Sequence, residues 1–135
     1  MAQREGGRLP TAFADRPTAV KLLLVLVVPL VFGVITGAVL APLPVVYIVL
    51  QVVAAVGGII GGLEHRRLSE ATLRGLAAGM SFGLAILLSH LVIGGDDHHL
   101  LGDDPMLLPW IAGVFGVLLA LLGSFIRGRL ERRHG

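Results

Sequence analysis

At 135 residues the chain has room for one domain, and 55% of its residues are hydrophobic while 15% are charged. With a mean hydropathy of +0.86, this composition belongs to a membrane protein and leaves no soluble stretch large enough for a catalytic domain. The net charge of +2 gives no reason to expect a nucleic acid partner, and the absence of cysteine excludes disulfides, thiolate metal sites and cysteine nucleophiles.

Residues 1–20 are polar and include Gly6, Gly7, Pro10 and Pro17, the composition of a flexible tail. A membrane domain is expected over residues 21–127. Its four apolar stretches are about Leu22–Ala41, Leu43–Leu63, Gly75–Gly95 and Met106–Ile126. Each has about 20 residues, enough for a helix to cross a ~30 Å hydrocarbon core. The first is longer than the apolar region of a secretory signal, and Pro42 follows its best cleavage position. A retained signal-anchor helix is therefore expected. Pro29 lies within it and predicts a static kink of the sort that membrane bundles accommodate. The outer turn, Ala41-Pro42-Leu43-Pro44, is so short that spans one and two are expected to pack as an antiparallel pair. Tyr47 and Trp110 stand near the outer ends of spans two and four, at the depth of interfacial aromatic belts. In the inner connection, Ser69 is the expected N-cap of span three, with Glu70 in its first turn. Residues 128–135 form a basic tail that should prolong the fourth helix.

Every Lys and Arg falls on one side of the four stretches. Arg4, Arg8, Arg16 and Lys21 precede the first; Arg66, Arg67 and Arg74 lie at the inner connection; Arg127, Arg129, Arg132 and Arg133 follow the fourth. Cytoplasmic segments are enriched in Lys and Arg, so both termini are expected inside. The expected fold class is an all-α membrane protein, a four-helix transmembrane bundle. Ten Arg against one Lys is a composition of GC-rich bacterial genomes, which points to a bacterial plasma (inner) membrane.

Glycine sets the expected packing. Span one has Gly33 and Gly37; span two has Gly57 with Gly61 and Gly58 with Gly62; span three has Gly75, Gly79 and Gly83; span four has Ala112, Gly116, Ala120 and Ser124. Residues four apart share a helix face, and small ones let two backbones approach closely. These faces predict either a bundle closed within one chain or, through the face of span three, a homo-oligomer. The two hairpins also echo one another, with Phe32-Gly33, Leu43-Pro44 and Gly57-Gly58 answered by Phe82-Gly83, Leu108-Pro109 and Gly123-Ser124. A duplication would relate them by an axis along the membrane normal.

The deep interior holds no ionisable residue, and Gln51 is expected to bond across helices. His90, one turn from the outer end of span three, and the loop residues Asp96, Asp97, His98, His99, Asp103 and Asp104 form a mixed nitrogen and oxygen set suited to a divalent metal. An acidic, solvated outer loop explains the same residues. Glu64, His65, Arg66, Arg67 and Arg74 form a charge cluster at the inner surface, in which Glu64 should pair with Arg67 or Arg74. That cluster suits a phospholipid headgroup or the ordinary termination of a span. No serine–histidine–acid set, phosphate loop or paired intramembrane carboxylate is present, so enzymatic chemistry and a resident cofactor are not expected. The expected function is that of an accessory or scaffold component acting through helix packing, with the lipid bilayer, a second copy or a larger membrane complex as partner. The alternative is an oligomeric channel or transporter for a small ion or divalent metal, using His90 and the outer Asp/His loop.

Overall fold

The computed structural model describes residues 15–93 and 101–134, and the regular elements within them are all helical. Helix α1 covers Thr18–Val39, α2 Pro44–Leu63 and α3 Leu68–Ile93. Helix α4, Leu108–His134, is entered through a 3₁₀ turn at Pro105–Leu107. All four are long and apolar enough to cross a membrane, which makes this a multi-pass membrane protein.

Two helices outrun the apolar stretches that announce them. Helix α3 begins at Leu68, so Ser69 is its second residue rather than its cap, and the Arg67 carbonyl accepts from the Ala71 N–H at 3.1 Å. Helix α4 continues through the basic tail to His134, with Arg127 bonded to Glu131 one turn on. Within α1, Leu23–Val27 form a π-helical turn in which the Val28 N–H donates to the Leu23 carbonyl. Pro29 follows directly, and the wide turn relieves the clash that a proline ring makes with the carbonyl four residues earlier.

Packing runs α1 on α3, α3 on α4, and α4 on α2, so the helices form a row in the order α1, α3, α4, α2. The expected α1–α2 pair is not a packed pair: the tight turn joins these helices, which then diverge. The physical reason is where the small residues lie. Gly33 and Gly37 of α1 rest on Phe82, Ile86 and Ser89 of α3, and a Cβ at Gly37 would come 2.6 Å from the Ile86 carbonyl oxygen. Gly75, Gly79 and Gly83 of α3 mesh with Gly116, Ala112 and Pro109 of α4. Gly62 of α2 lies on Ala120, and Gly123 of α4 on Ile59. The three-glycine face of α3 is thus used inside the chain. Leu24, Val28 and Phe32 of α1 look instead toward Ile48 and Val52 of α2 across open space, and bulky faces have no reason to leave lipid for each other. Under the symmetry of a duplicated hairpin α1 would pack on α2 as α3 packs on α4, and a groove takes the place of that contact.

Few large side chains are buried. Ile86 and Leu87 of α3 are, while most Leu, Val and Ile of all four helices are exposed around the perimeter, the distribution that a lipid solvent permits. Polar side chains at depth bond to helix carbonyls, within one helix or across two. The Thr36 hydroxyl donates to the Phe32 carbonyl at 2.7 Å, and Ser89 of α3 donates to the Val34 carbonyl of α1 at 2.8 Å. Gln51 does not bond across helices as expected; its Nε2 donates to the Tyr47 hydroxyl oxygen at 2.7 Å on its own helix.

Candidate lateral groove and its ionic end

The divergence of α1 and α2 opens a groove of about 860 Å³. Leu24, Val28 and Phe32 form one wall, and Ile48, Val52 and Gly57 belong to the other. Its floor comes from Gly79 and Phe82 of α3 and from Phe115 and Gly116 of α4. Phe32 and Phe82 stack with ring centroids 6.0 Å apart, which joins one wall to the floor. At Gly57 a Cβ would meet nothing within 4 Å. At the other end the short turn joins α1 to α2. At the inner end Arg16, just before α1, reaches Glu64, just after α2, with Nη2 to Oε1 at 2.7 Å.

Glu64 is the hub of that end. Its other oxygen takes a bond from Arg74 Nη1 at 2.7 Å, and both of these side chains are only 13% exposed. The same Arg74 nitrogen donates to the Gly61 carbonyl at 2.9 Å and lies 3.3 Å from His65 Nε2. These contacts answer a local need. The last carbonyls of a helix have no intrahelical donor, and the C-terminal end of the helix dipole favours cations. Helix α2 has no basic residue in its own last turn, so its neighbours supply the donors. Arg74 of α3 serves Gly61; Arg127 of α4 serves the Leu63 carbonyl at 2.7 Å; Ser124 of α4 serves the His65 carbonyl at 3.2 Å. Arg127 is itself buried and bonded to Glu131 at 2.8 Å.

His65 is buried beside this hub, with Nδ1 3.8 Å from Glu70 Oε2. Burial, and next the positive charge of Arg74, hold its imidazole below the ordinary histidine pKa; Glu70 and Glu64 oppose the shift without reversing it. The ring is accordingly neutral at physiological pH.

Of the cluster expected at the inner surface, the fold brings Glu64, His65 and Arg74 together, while Arg66 and Arg67 are exposed. Glu64 pairs with Arg74 as one of the two expectations had it, and with Arg16 rather than Arg67. Arg16, Ser124 and Arg127 were not expected at this site. Arg127 did leave a signal: it continues the α4 stripe Gly116, Ala120, Ser124 by one more turn, and a cation on a small-residue face is placed to meet a neighbouring helix end. Nothing in the sequence marks Arg16, whose partner is 48 residues away.

At the outer end His90 is fully buried in the last turn of α3. Asp104 caps the 3₁₀ turn by accepting from the Met106 N–H at 3.2 Å, and Asp103 is exposed. Asp96, Asp97, His98 and His99 lie outside the described residues. Among the described residues no group of three or more His, Cys, Asp or Glu is placed to hold a metal ion. Trp110 is exposed at the outer end of α4. Comparison with protein-family models, with curated proteins and with solved structures returned no match.

Proposed function

We propose that this protein is a non-enzymatic component of a bacterial inner membrane, with both termini cytoplasmic, acting as an accessory or scaffold element through its helix faces. The observation that carries the reading is the row of helices itself. Close backbone contacts hold four spans together with few large buried side chains, and the row leaves a lateral groove facing the bilayer where a second membrane-embedded molecule can lie. The gathering of Lys and Arg at one end supports the orientation.

The cysteine-free sequence makes the orientation directly testable. In intact cells an impermeant maleimide should label Asp103→Cys and leave Gln3→Cys and His134→Cys unlabelled until the cells are opened; labelling of the terminal cysteines from outside would overturn it. In liposomes, proton, monovalent-ion and zinc flux should equal that of protein-free vesicles. A flux abolished by His90→Ala would replace the scaffold reading with transport.

A further inference from the structure

We propose that the groove between α1 and α2 is a binding site for an anionic phospholipid, with an acyl chain along the groove and the phosphate at Arg16 and Arg74. The inference rests on the membrane-embedded reading above and names the molecule that the groove takes.

Shape comes first. The groove volume of about 860 Å³ falls in the ~300–1,000 Å³ range of sites that enclose small molecules. From Ile48 to Glu64 its α2 wall is about 24 Å long at ~1.5 Å per residue. One leaflet is about half of a ~30 Å hydrocarbon core, so a lipid chain of one leaflet fits within that length. Between the ends the lining is apolar apart from Gln51, whose amide is turned onto Tyr47.

Charge then selects the occupant. Two guanidinium groups, Arg16 and Arg74, share the single carboxylate of Glu64, each at 2.7 Å. Of the other acids at this end, Glu131 holds Arg127, Glu70 faces His65, and Asp15, next to Arg16, is exposed. This end of the molecule as a whole carries an excess of positive charge, Arg66, Arg67, Arg129, Arg132 and Arg133 adding to Arg16 and Arg74. Guanidinium binds phosphate through paired, charge-assisted hydrogen bonds. The Arg16 side chain is 26% exposed, within reach of a headgroup at the membrane surface. A second copy of this chain is a poorer occupant. Inserted in the same orientation, it would bring its own basic end against this one, where the described residues already set nine Lys and Arg against four Asp and Glu.

The test is native mass spectrometry of the full chain in mild detergent, titrated with dioleoyl phosphatidylglycerol or dioleoyl phosphatidylcholine. The expected result is one retained lipid with about a fivefold preference for the anionic one, the worth of roughly one basic residue at a membrane surface. Arg16→Gln, which removes no helix cap, should lower the preference to within about twofold, the residue left by Arg74. Gly57→Leu, at a lining position where a Cβ meets nothing within 4 Å, puts a bulky side chain into the groove and should lose both lipids, while Val56→Leu outside the lining should retain them. Equal retention of the two lipids by the wild type, or an undiminished preference in Arg16→Gln, would overturn the proposal. So would displacement of the lipid by millimolar inorganic phosphate, or a lipid-free dimer that Gly57→Leu dissociates. Maleimide labelling and flux are read separately, so a wrong orientation and an absent lipid site fail in different experiments.

Discussion

Arg127→Met isolates the contribution of one buried cation to the joint between α2 and α4. The Arg127 side chain is 4% exposed, and its Nη1 donates to the Leu63 carbonyl at 2.7 Å while Nε donates to Glu131 at 2.8 Å. Methionine keeps the apolar stem and removes both bonds. The Leu63 carbonyl lies at the end of α2, where the helix has no donor of its own for it, and a hydrogen bond from a charged group is worth about 1.5–3 kcal/mol. Glu131 is 44% exposed, so its carboxylate returns to water and its half of the pair accounts for about 0–1 kcal/mol. A loss of about 2 kcal/mol is expected, roughly a 30-fold change in the folding equilibrium. Titration of the protein from mild detergent into dodecyl sulfate, followed by far-ultraviolet circular dichroism, measures it. Arg127→Lys should recover part of the loss because one donor can still reach the carbonyl. Glu131→Gln should cost no more than a few tenths of a kcal/mol. The account is wrong if Arg127→Met unfolds with the wild type, or if Glu131→Gln is as damaging as Arg127→Met.

Two further outcomes follow from the glycine contacts and from His65. At Gly79 a Cβ would press on the Ala112 carbonyl and come 3.0 Å from Gly113 Cα, so Gly79→Ala should destabilise by about 1–3 kcal/mol in the same titration. Gly57→Ala, whose Cβ meets nothing, should not destabilise and should gain up to about 1 kcal/mol from helix propensity; equal effects at the two sites would refute the α3–α4 contact. The folded state holds the His65 pKa below the ordinary histidine value of 6.5, so the unfolded chain binds the proton first as pH falls. The stability that this neutral imidazole contributes is therefore fully present above about pH 6.5 and is lost as pH drops below that toward the folded pKa, at up to ~1.4 kcal/mol per pH unit. The melting temperature in detergent should fall between pH 7.5 and 5.5 in the wild type and fall less in His65→Gln; an identical pH dependence would remove His65 as the cause.

Secondary structure was legible because each helix announces itself by length and hydropathy alone. The error lies at the start of α3, which begins at Leu68 among charged residues that hydropathy treats as loop, whereas the run of α4 through its basic tail to His134 was expected. The inner cluster was legible in part. Glu64, His65 and Arg74 are close in sequence, whereas Arg16 and Arg127 arrive from distant segments. Gln51 shows the same limit: its choice of Tyr47 over a neighbouring helix depends on which face α2 turns to the groove.

The sequence by itself determined four apolar helices, the segregation of Lys and Arg to one end, and small residues on every span. Those are local properties, set by the composition of single segments and by the cost of charge in hydrocarbon. The tertiary structure alone decided which small face meets which. Several glycine faces can satisfy one another in more than one order, and the chosen order matches Gly33 and Gly37 to α3, α3 to Gly116, and Gly62 to Ala120. That choice leaves the bulky faces of α1 and α2 apart. It also collects Arg16, Arg74 and Arg127 at the end of α2, where free carbonyls and the Glu64 carboxylate give each a partner.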